Sequence, residues 1–404
     1  MLLGEFSKEE VITALNQMAP LKAPGPDGLP PLFFQHYWSS VGEDVTEAVL
    51  SCLTSGVIPS SINRTFITLI PKVKSPKKVS EYRPISLCNI IYKLVSKVIA
   101  NRLKGALPSI ISKSQSAFQS NKAISDNILV AFETLHHMKN QKSENGGFMA
   151  LKLNMSKAYD RVEWNFLEAT MLKMGFNASW VALIMSCITS ASYSILVNGV
   201  PKGDIRPTRG IRQGDPLSPY LFLICSEALN CQLQQAARFE AIRGFSLCKN
   251  GPKISHLFFA DDTLLFCRAN RGDLDVIQGI LVLYENASGQ KLNREKTTLF
   301  FSKATSEKRK LEIIEKLGVS EVKEYERYLG LPAVVGRNKK ASLNYIKERV
   351  WNKLQGWKEK LISQAGREVL LKAVVQAILT FVMGCFKLPS GLLNDIEMII
   401  RKFW

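Results

Sequence analysis

The sequence predicts a mixed fold in which α-helices pack behind a β-sheet, and three observations predict it. Short apolar, β-prone runs such as 66–71 and 148–153 alternate with stretches of helical spacing through the middle of the chain. Hydrophobic residues make up 46% of the 404, enough to fill a sizeable core in two or three domains. From about Lys339 onward the pattern is nearly all helix, with one apolar and one basic side.

In chain order, Ser7 and Glu10 have the spacing of a capping box ahead of Val11, Ile12 and Leu15, so a short amphipathic helix begins there. K-A-P-G-P-D-G-L-P-P at 22–31 is a rigid loop, because each proline freezes φ. Phe33, Phe34, Tyr37 and Trp38 resume a helix to about Leu53. F-I-T-L-I-P at 66–71 is a strand, and a basic run leads from it to E-Y-R-P-I-S at 81–86. Residues 90–103 are helical, and Ser125 caps a helix from 126 to about 139. The strand 148–153 stops at N-M-S-K-A-Y-D-R-V, 154–162; a helix follows, and another spans 180–190. Residues 192–198 and 203–207 read as a hairpin.

R-G-I-R-Q-G-D-P-L-S-P at 209–219 feeds an apolar helix reaching past Leu233, with Pro216 near its first turn. A helix over 273–286 and a strand over 297–301 come next. Leu343, Ile346, Val350, Leu354, Trp357 and Leu361 form one apolar stripe, with Lys347, Arg349, Lys353, Lys358 and Lys360 off it. The run 373–386, broken by Gln376, Thr380 and Gly384, reads as a buried helix and is too interrupted to span a bilayer. The chain ends R-K-F-W with no polar tail, as a piece of a longer protein would.

Fifty-three Lys and Arg against 35 Asp and Glu give +18, a balance that favours a polyanionic partner, nucleic acid before a membrane surface. Residues 64–104 hold ten basic residues against Glu81 alone, and 337–372 hold ten against three acids. Two basic regions fit a groove gripped from both sides, and equally fit solvated helix faces. The eight cysteines show no C-x-x-C pair and sit mostly in apolar runs, which points to buried free thiols in a reducing compartment. They make no zinc pattern with His36, His136, His137 and His256, so no zinc site is expected. The N-terminus lacks the apolar core of a secretory signal, and no membrane partner is expected.

The stretch most loaded with chemistry is I-S-H-L-F-F-A-D-D-T-L-L-F-C-R, 254–268. Its two apolar runs flank Asp261 and Asp262, so a tight hairpin with carboxylates at its tip is expected. Adjacent like charges repel, and strand interiors disfavour Asp. The tip is therefore either a solvated turn or a divalent-metal site.

Six strings occur in one order: K-A-P-G-P-D-G, I-P-K at 70–72, Y-R-P-I-S at 82–86, R-Q-G-D-P-L-S-P at 212–219, F-A-D-D at 259–262 and Y-L-G-L-P at 328–332. Together they resemble the reverse transcriptase of plant non-LTR (LINE-type) retrotransposons, from about Leu21 to the end of the chain. The resemblance implies an α+β right-hand polymerase fold with fingers, a palm whose antiparallel sheet is backed by helices, and a helical thumb. It divides the chain into an N-terminal extension and start of the fingers (1–60), fingers (61–147), palm (148–332), and thumb with the start of a downstream region (333–404). It also implies an RNA template, a DNA primer, deoxynucleoside triphosphates and Mg²⁺ or Mn²⁺.

The resemblance makes Asp261 the main metal ligand, with Asp262 assisting. It puts the Tyr159 ring under the incoming sugar, where it would clash with a 2′-hydroxyl; an ordinary core tyrosine is the other reading. Gln213 and Gly214 match a turn that meets the nucleotide or template, although a helix-initiating loop needs the same residues. Lys72 and Arg83 match fingers residues on the triphosphate, Arg through its planar fork and Lys as a point charge. Lys296 matches a proton donor to pyrophosphate, and a surface lysine would look the same. Lys122, Lys353 and Lys358 would contact template and primer.

Two positions depart from the family pattern. The first motif normally reads L-D-M-S-K-A-Y-D-R-V, and here Asn154 replaces the aspartate expected to bridge the metals. Asn keeps one carbonyl oxygen and loses the charge. Such a loss should lower activity by roughly a thousandfold or more. Asp160, six residues on, is expected to be a structural partner and no substitute. The second departure is Ser120-Asn121-Lys122, where the family has P-G-R.

No stretch before Leu21 could hold the endonuclease domain of full-length elements, so a detached and degenerate polymerase module is expected. The alternative is a retroelement-derived nucleic-acid-binding protein without catalysis. A group II intron maturase or RNA-dependent RNA polymerase is opposed by A-P-G-P-D-G and Y-L-G-L-P. The expected location is intracellular, in nucleus or cytoplasm with the nucleus favoured.

Overall fold

The computed structural model describes residues 2–141, 147–248, 251–322, 327–332, 335, 338–358 and 362–404, with the Lys358 side chain outside that set. Nine strands make up the two larger sheets: β1 Arg64–Pro71, β2 Tyr82–Cys88, β3 Phe148–Leu153, β4 Ser192–Val197, β5 Val200–Ile205, β6 His256–Phe259, β7 Asp262–Arg268, β8 Thr298–Phe301 and β9 Ser320–Glu321. Helices and strands interleave between Arg64 and Pro332, with helices before and after, so the α+β class read from the sequence is the one found. The chain forms two compact units, Met1–Asn121 with Met155–Gln235 and Ile277–Asn293, and Lys122–Asn154 with Ala236–Val276 and Arg294–Trp404.

The first unit carries a sheet of order β2-β1-β4-β5. β1 pairs antiparallel with β2 and parallel with β4. The segment Y-R-P-I-S forms β2: Pro84 lacks a donor, and an edge strand tolerates that. The helix Ile90–Ile110 buries Leu94, Val95, Ile99 and Leu103 and runs past the expected end. The N-terminal capping box forms as expected, with Ser7 N donating to Glu10 at 3.1 Å and Glu10 N to Ser7 Oγ at 3.4 Å. The β5 strand begins at Val200, three residues earlier than expected, because Asn198 and Gly199 both adopt positive φ and close a two-residue turn. The apolar helix starts at Ser218, with Pro219 in its first turn and Pro216 outside it.

The second unit carries a sheet of order β9-β8-β3-β7-β6 with β3 central. β3 lies antiparallel to both β7 and β8. Buried positions run almost unbroken through β7, as the continuous L-L-F-C sequence requires. The helix Ile124–Asn140 covers this sheet with Ala131, Leu135 and Met138. It starts two residues earlier than expected, at Ile124, with Ala123 in the cap position and Asp126 in the first turn accepting from Ala123 N at 3.0 Å, so Ser125 lies inside the helix. Its Ile128 joins a second cluster with Leu343, Ile346, Val350, Leu354, Leu392 and Ile396. The expected stripe is therefore a core face, although Leu361 lies outside the described residues.

The run 373–386, read as one buried helix, begins within a π-helical turn Leu371–Val375, continues as the helix Gln376–Met383 and leaves helix before 386; the helix Gln364–Leu370 precedes it. It is only partly buried, Met383 being 56% exposed, since one face alone meets the cluster. Among the described residues no helix is long and apolar enough to cross a membrane.

Two outcomes follow from this packing. Leu392 is fully buried, so Leu392→Ala should cost about 2–5 kcal/mol, read by hydrogen exchange as lost protection of the Ile346–Val350 amides against unchanged protection in β3. His256 on β6 is buried, and burial depresses its pKa from 6.5 to about 4. The unfolded chain therefore takes up the proton first, so this contribution to stability is intact above about pH 6.5 and is lost as pH falls toward 4. His256→Phe should flatten the decline of the denaturation midpoint over that window.

Candidate active site

In the second unit, β6 and β7 form the expected hairpin, with Phe259 paired to Asp262. Ala260 adopts a left-handed φ of 53° and turns the chain in two residues. Asp261 is exposed at the tip, whereas Asp262 is half-buried as the first residue of β7 and not in the turn. Burial, then the adjacent Asp261, push the Asp262 carboxyl above the usual range, with Lys152 opposing.

Asn154 lies one residue past the end of β3. Leu153 pairs with Thr263 across to β7, so the next step sets Asn154 across from Asp262. On the other flank Thr298 pairs with Lys152, which carries Lys296 to the level of Asn154. Asn154 N donates to Thr297 Oγ1 at 3.3 Å, fixing the strand end to that flank. Asn154, Asp261, Asp262 and Lys296 thus converge on one end of one sheet. The donor set is two carboxylates and one amide carbonyl, oxygen ligands of the kind a hard divalent cation takes.

A residue not singled out from the sequence belongs beside them. Tyr328 in Y-L-G-L-P is buried, and the Asp262 charge adds to burial in raising its hydroxyl pKa. The motif closes a hairpin in which Leu329 (φ 49°) and Gly330 (φ 85°) make the turn, a conformation that favours glycine. Lys152 Nζ donates to Arg327 O at 2.7 Å and ties this hairpin to β3. The motif string was legible, but the contact joins residues 175 positions apart, which no local pattern carries.

In the first unit, Lys72 and Arg83 are exposed at the open end of the β1–β2 pair. Ile70 pairs with Arg83 and Lys72 N donates to Glu81 O at 2.8 Å, so strand alternation sets Lys72 and Arg83 on one face. Gln213 O accepts from Ser86 N on β2 at 2.8 Å. Gly214 has φ +108°, and a Cβ there would stand 3.1 Å from Ser86 O, so only glycine fits. Tyr159 stacks on Phe222 with ring centroids 5.2 Å apart, and its carbonyl accepts from Ile211 N at 2.9 Å.

Lys72, Arg83, Tyr159, Gln213 and Gly214 are therefore parts of one neighbourhood. Asp160 joins them: burial raises its pKa, opposed by Lys157, a hydrogen bond from Gln213, and Lys72. Phe222, hidden inside the L-F-L-I-C run, gave no signal of its own.

The lysines expected on template and primer lie on other elements. Lys122 is half-buried just ahead of the helix Ile124–Asn140, and Lys353 is exposed on the helix Lys339–Lys358, off its buried stripe. The side chain of Lys358 lies outside the described residues. Among the described residues, the group of three side chains closest to a metal-ligand arrangement is exposed Glu133, His136 and His137 on the helix Ile124–Asn140, with ligand atoms within 4.8 Å of one another. No cysteine belongs to it.

The reverse transcriptase (RNA-dependent DNA polymerase) family matches residues 70–333, more than half of the chain. The Transposon TX1 uncharacterized 149 kDa protein of Xenopus laevis is 28% identical over 402 residues, 98% of this chain and 30% of that protein. A Retrovirus-related Pol polyprotein from type-2 retrotransposable element R2DM of Drosophila melanogaster is 26% identical over 275 residues, 68% of this chain and 24% of that protein. An uncharacterized mitochondrial protein of Arabidopsis thaliana, AtMg01250, is 48% identical over 68 residues, 17% of this chain and 56% of that protein. The chain spans less than a third of the length of the first two. With the matched stretch running from the I-P-K of β1 to the Y-L-G-L-P hairpin and containing both groups of residues, the chain belongs to the reverse transcriptase family, as a domain of the kind that non-LTR retrotransposons encode.

Proposed function

We propose that this chain is the polymerase module of a plant retroelement, built to copy RNA into DNA from a DNA primer with deoxynucleoside triphosphates, and impaired at Asn154. The observation that carries the impairment is the place of Asn154, a neutral side chain at the end of the central strand across from Asp262. The six motif strings and the 68-residue likeness to an Arabidopsis protein support the plant origin. We divide the chain as 1–60 extension, 61–147 fingers, 148–332 palm and 333–404 thumb. The buried thiols of Cys52, Cys88, Cys187, Cys225 and Cys267 fit a reducing compartment, which we take to be the nucleus before the cytoplasm.

Asp261 and Asp262 would hold Mg²⁺ or Mn²⁺, with Asn154 offering only a carbonyl oxygen. The ion would stabilise the attacking and leaving oxygens of the phosphoryl transfer. Lys72 and Arg83 bind the triphosphate from one sheet face. Tyr159, braced by Phe222, supports the sugar and disfavours a 2′-hydroxyl. Gln213 and Gly214 bring backbone close to the nucleotide, and Lys296 can return a proton to pyrophosphate. Lys122, Lys353 and Lys358 steer template and primer.

A second reading, a nucleic-acid-binding protein without catalysis, is favoured by exposed Lys72 and Arg83 in the first unit together with a neutral residue at position 154 in the second. Primer extension on an RNA template separates the two. Asn154→Asp should extend at least about a thousandfold faster than the unaltered chain. Equal extension by both would contradict the impairment. Extension by neither, with salt-sensitive primer–template binding by both, would favour the binding protein.

A further inference from the structure

Beneath the Gln213–Gly214 turn lies a buried ionic network. Arg212 and Asp215, whose side chains are each 1% exposed, pair at 3.2 Å. Arg212 Nη1 donates to Asn63 Oδ1 at 2.5 Å, and Nη2 donates to Cys187 O at 2.8 Å. Asn63 Nδ2 in turn donates to Cys187 O at 3.0 Å and Ser190 Oγ at 2.7 Å. Cys187 sits in the last turn of the helix Ala178–Thr189, so the guanidinium caps the negative end of that helix. The same guanidinium lies 3.9 Å from the centre of the Tyr92 ring, and Tyr92 donates its hydroxyl proton to Asp215 Oδ2 at 2.7 Å. Asp215 Oδ1 accepts from Leu217 N at 3.0 Å, at the entry to the helix Ser218–Arg238.

The network therefore joins residue 63 ahead of β1, the helix carrying Tyr92, the end of one helix and the start of another. The two residues between its charges are Gln213 and Gly214. Their outward attachment is Gln213 O on Ser86 N, three residues from Arg83. A solvated turn needs no such support, and two buried charges are costly unless every bond is made.

We propose that Arg212, Asp215 and Tyr92 are positioning residues for the incoming nucleotide: a buried latch that fixes the Gln213–Gly214 turn against β2, so that nucleotide affinity depends on side chains that never touch the nucleotide. This rests on the reading of that turn as a nucleotide contact. Tyr92→Phe keeps the ring over Arg212 and removes a single donor to Asp215. Arg212→Lys retains the charge but cannot span Asn63, Cys187 and Asp215 at once, so the conservative exchange should fail to rescue.

The test has two arms. Hydrogen exchange on the unaltered chain and on both variants reads the latch without any need for activity. The Ser86 amide should exchange about tenfold faster in Tyr92→Phe, and faster still in Arg212→Lys, with β3 amides unchanged. Single-nucleotide incorporation in the Asn154→Asp background reads its purpose. Tyr92→Phe should raise KM for the nucleotide about fivefold, with the main effect on KM rather than kcat. Unchanged exchange at Ser86 in both variants overturns the latch. Faster exchange with unchanged KM overturns its role in nucleotide binding. Were Asn154→Asp itself inactive, the polymerase reading would fall and the nucleotide role with it, while the exchange arm would still decide whether the turn is latched.

Discussion

The crowding of Asp261 and Asp262 at the β6–β7 hairpin, across from the end of β3, is the constraint around which the sheet of the second unit is built. The sheet converges three oxygen-bearing positions, 154, 261 and 262, on one end of one layer. Burial, and after it the single neighbouring charge of Asp261, already push the Asp262 pKa upward. A third carboxylate would raise it further unless a cation were bound, so a working site of this shape is unstable by design and is held by the sheet around it. The near-continuous burial of β7 and its pairing with both β3 and β6 supply that hold. Asn154 relieves the repulsion and keeps the backbone geometry. On the reading proposed above, the fold is then indifferent to the change and the chemistry is not.

The first unit solves a different problem. On the proposed reading it has to present backbone and cations to a polyanion without letting the presenting turn wander. Its sheet edge exposes Lys72 and Arg83, while the turn on β2 is fastened from beneath by buried charges instead of surface contacts. Asp160 adds a carboxylate among these cations, bonded to Gln213 and within reach of Lys72.

Much of the fold was legible because it obeys local rules. The capping box at Ser7 and Glu10, the apolar β7 strand and the Leu343–Leu354 stripe each follow from spacing and burial. The failures share a cause. Pro84 hid β2, since whether proline is tolerated depends on being at a sheet edge, which is a fact of topology. Ser125 falls inside its helix and not at the cap because the backbone already enters the helix at Ala123, whose N–H reaches Asp126. The break at 371–375 has no sequence marker such as proline. Among site residues, Asp261, Asp262 and Asn154 were visible as motif members, whereas Tyr328, Phe222 and the Arg212–Asp215–Tyr92 network act through contacts between distant positions.

The central claim is that a missing charge at residue 154 leaves a site with the right shape and too little affinity for a divalent ion. Calorimetric titration of Mn²⁺ into the unaltered chain and into Asn154→Asp, each with primer–template and nucleotide, tests it most directly. The account predicts binding at least about tenfold weaker in the unaltered chain, since one carboxylate ligand is worth more than about 1.4 kcal/mol at such a site. Equal affinities would contradict it, because the charge at position 154 would then be irrelevant to the metal.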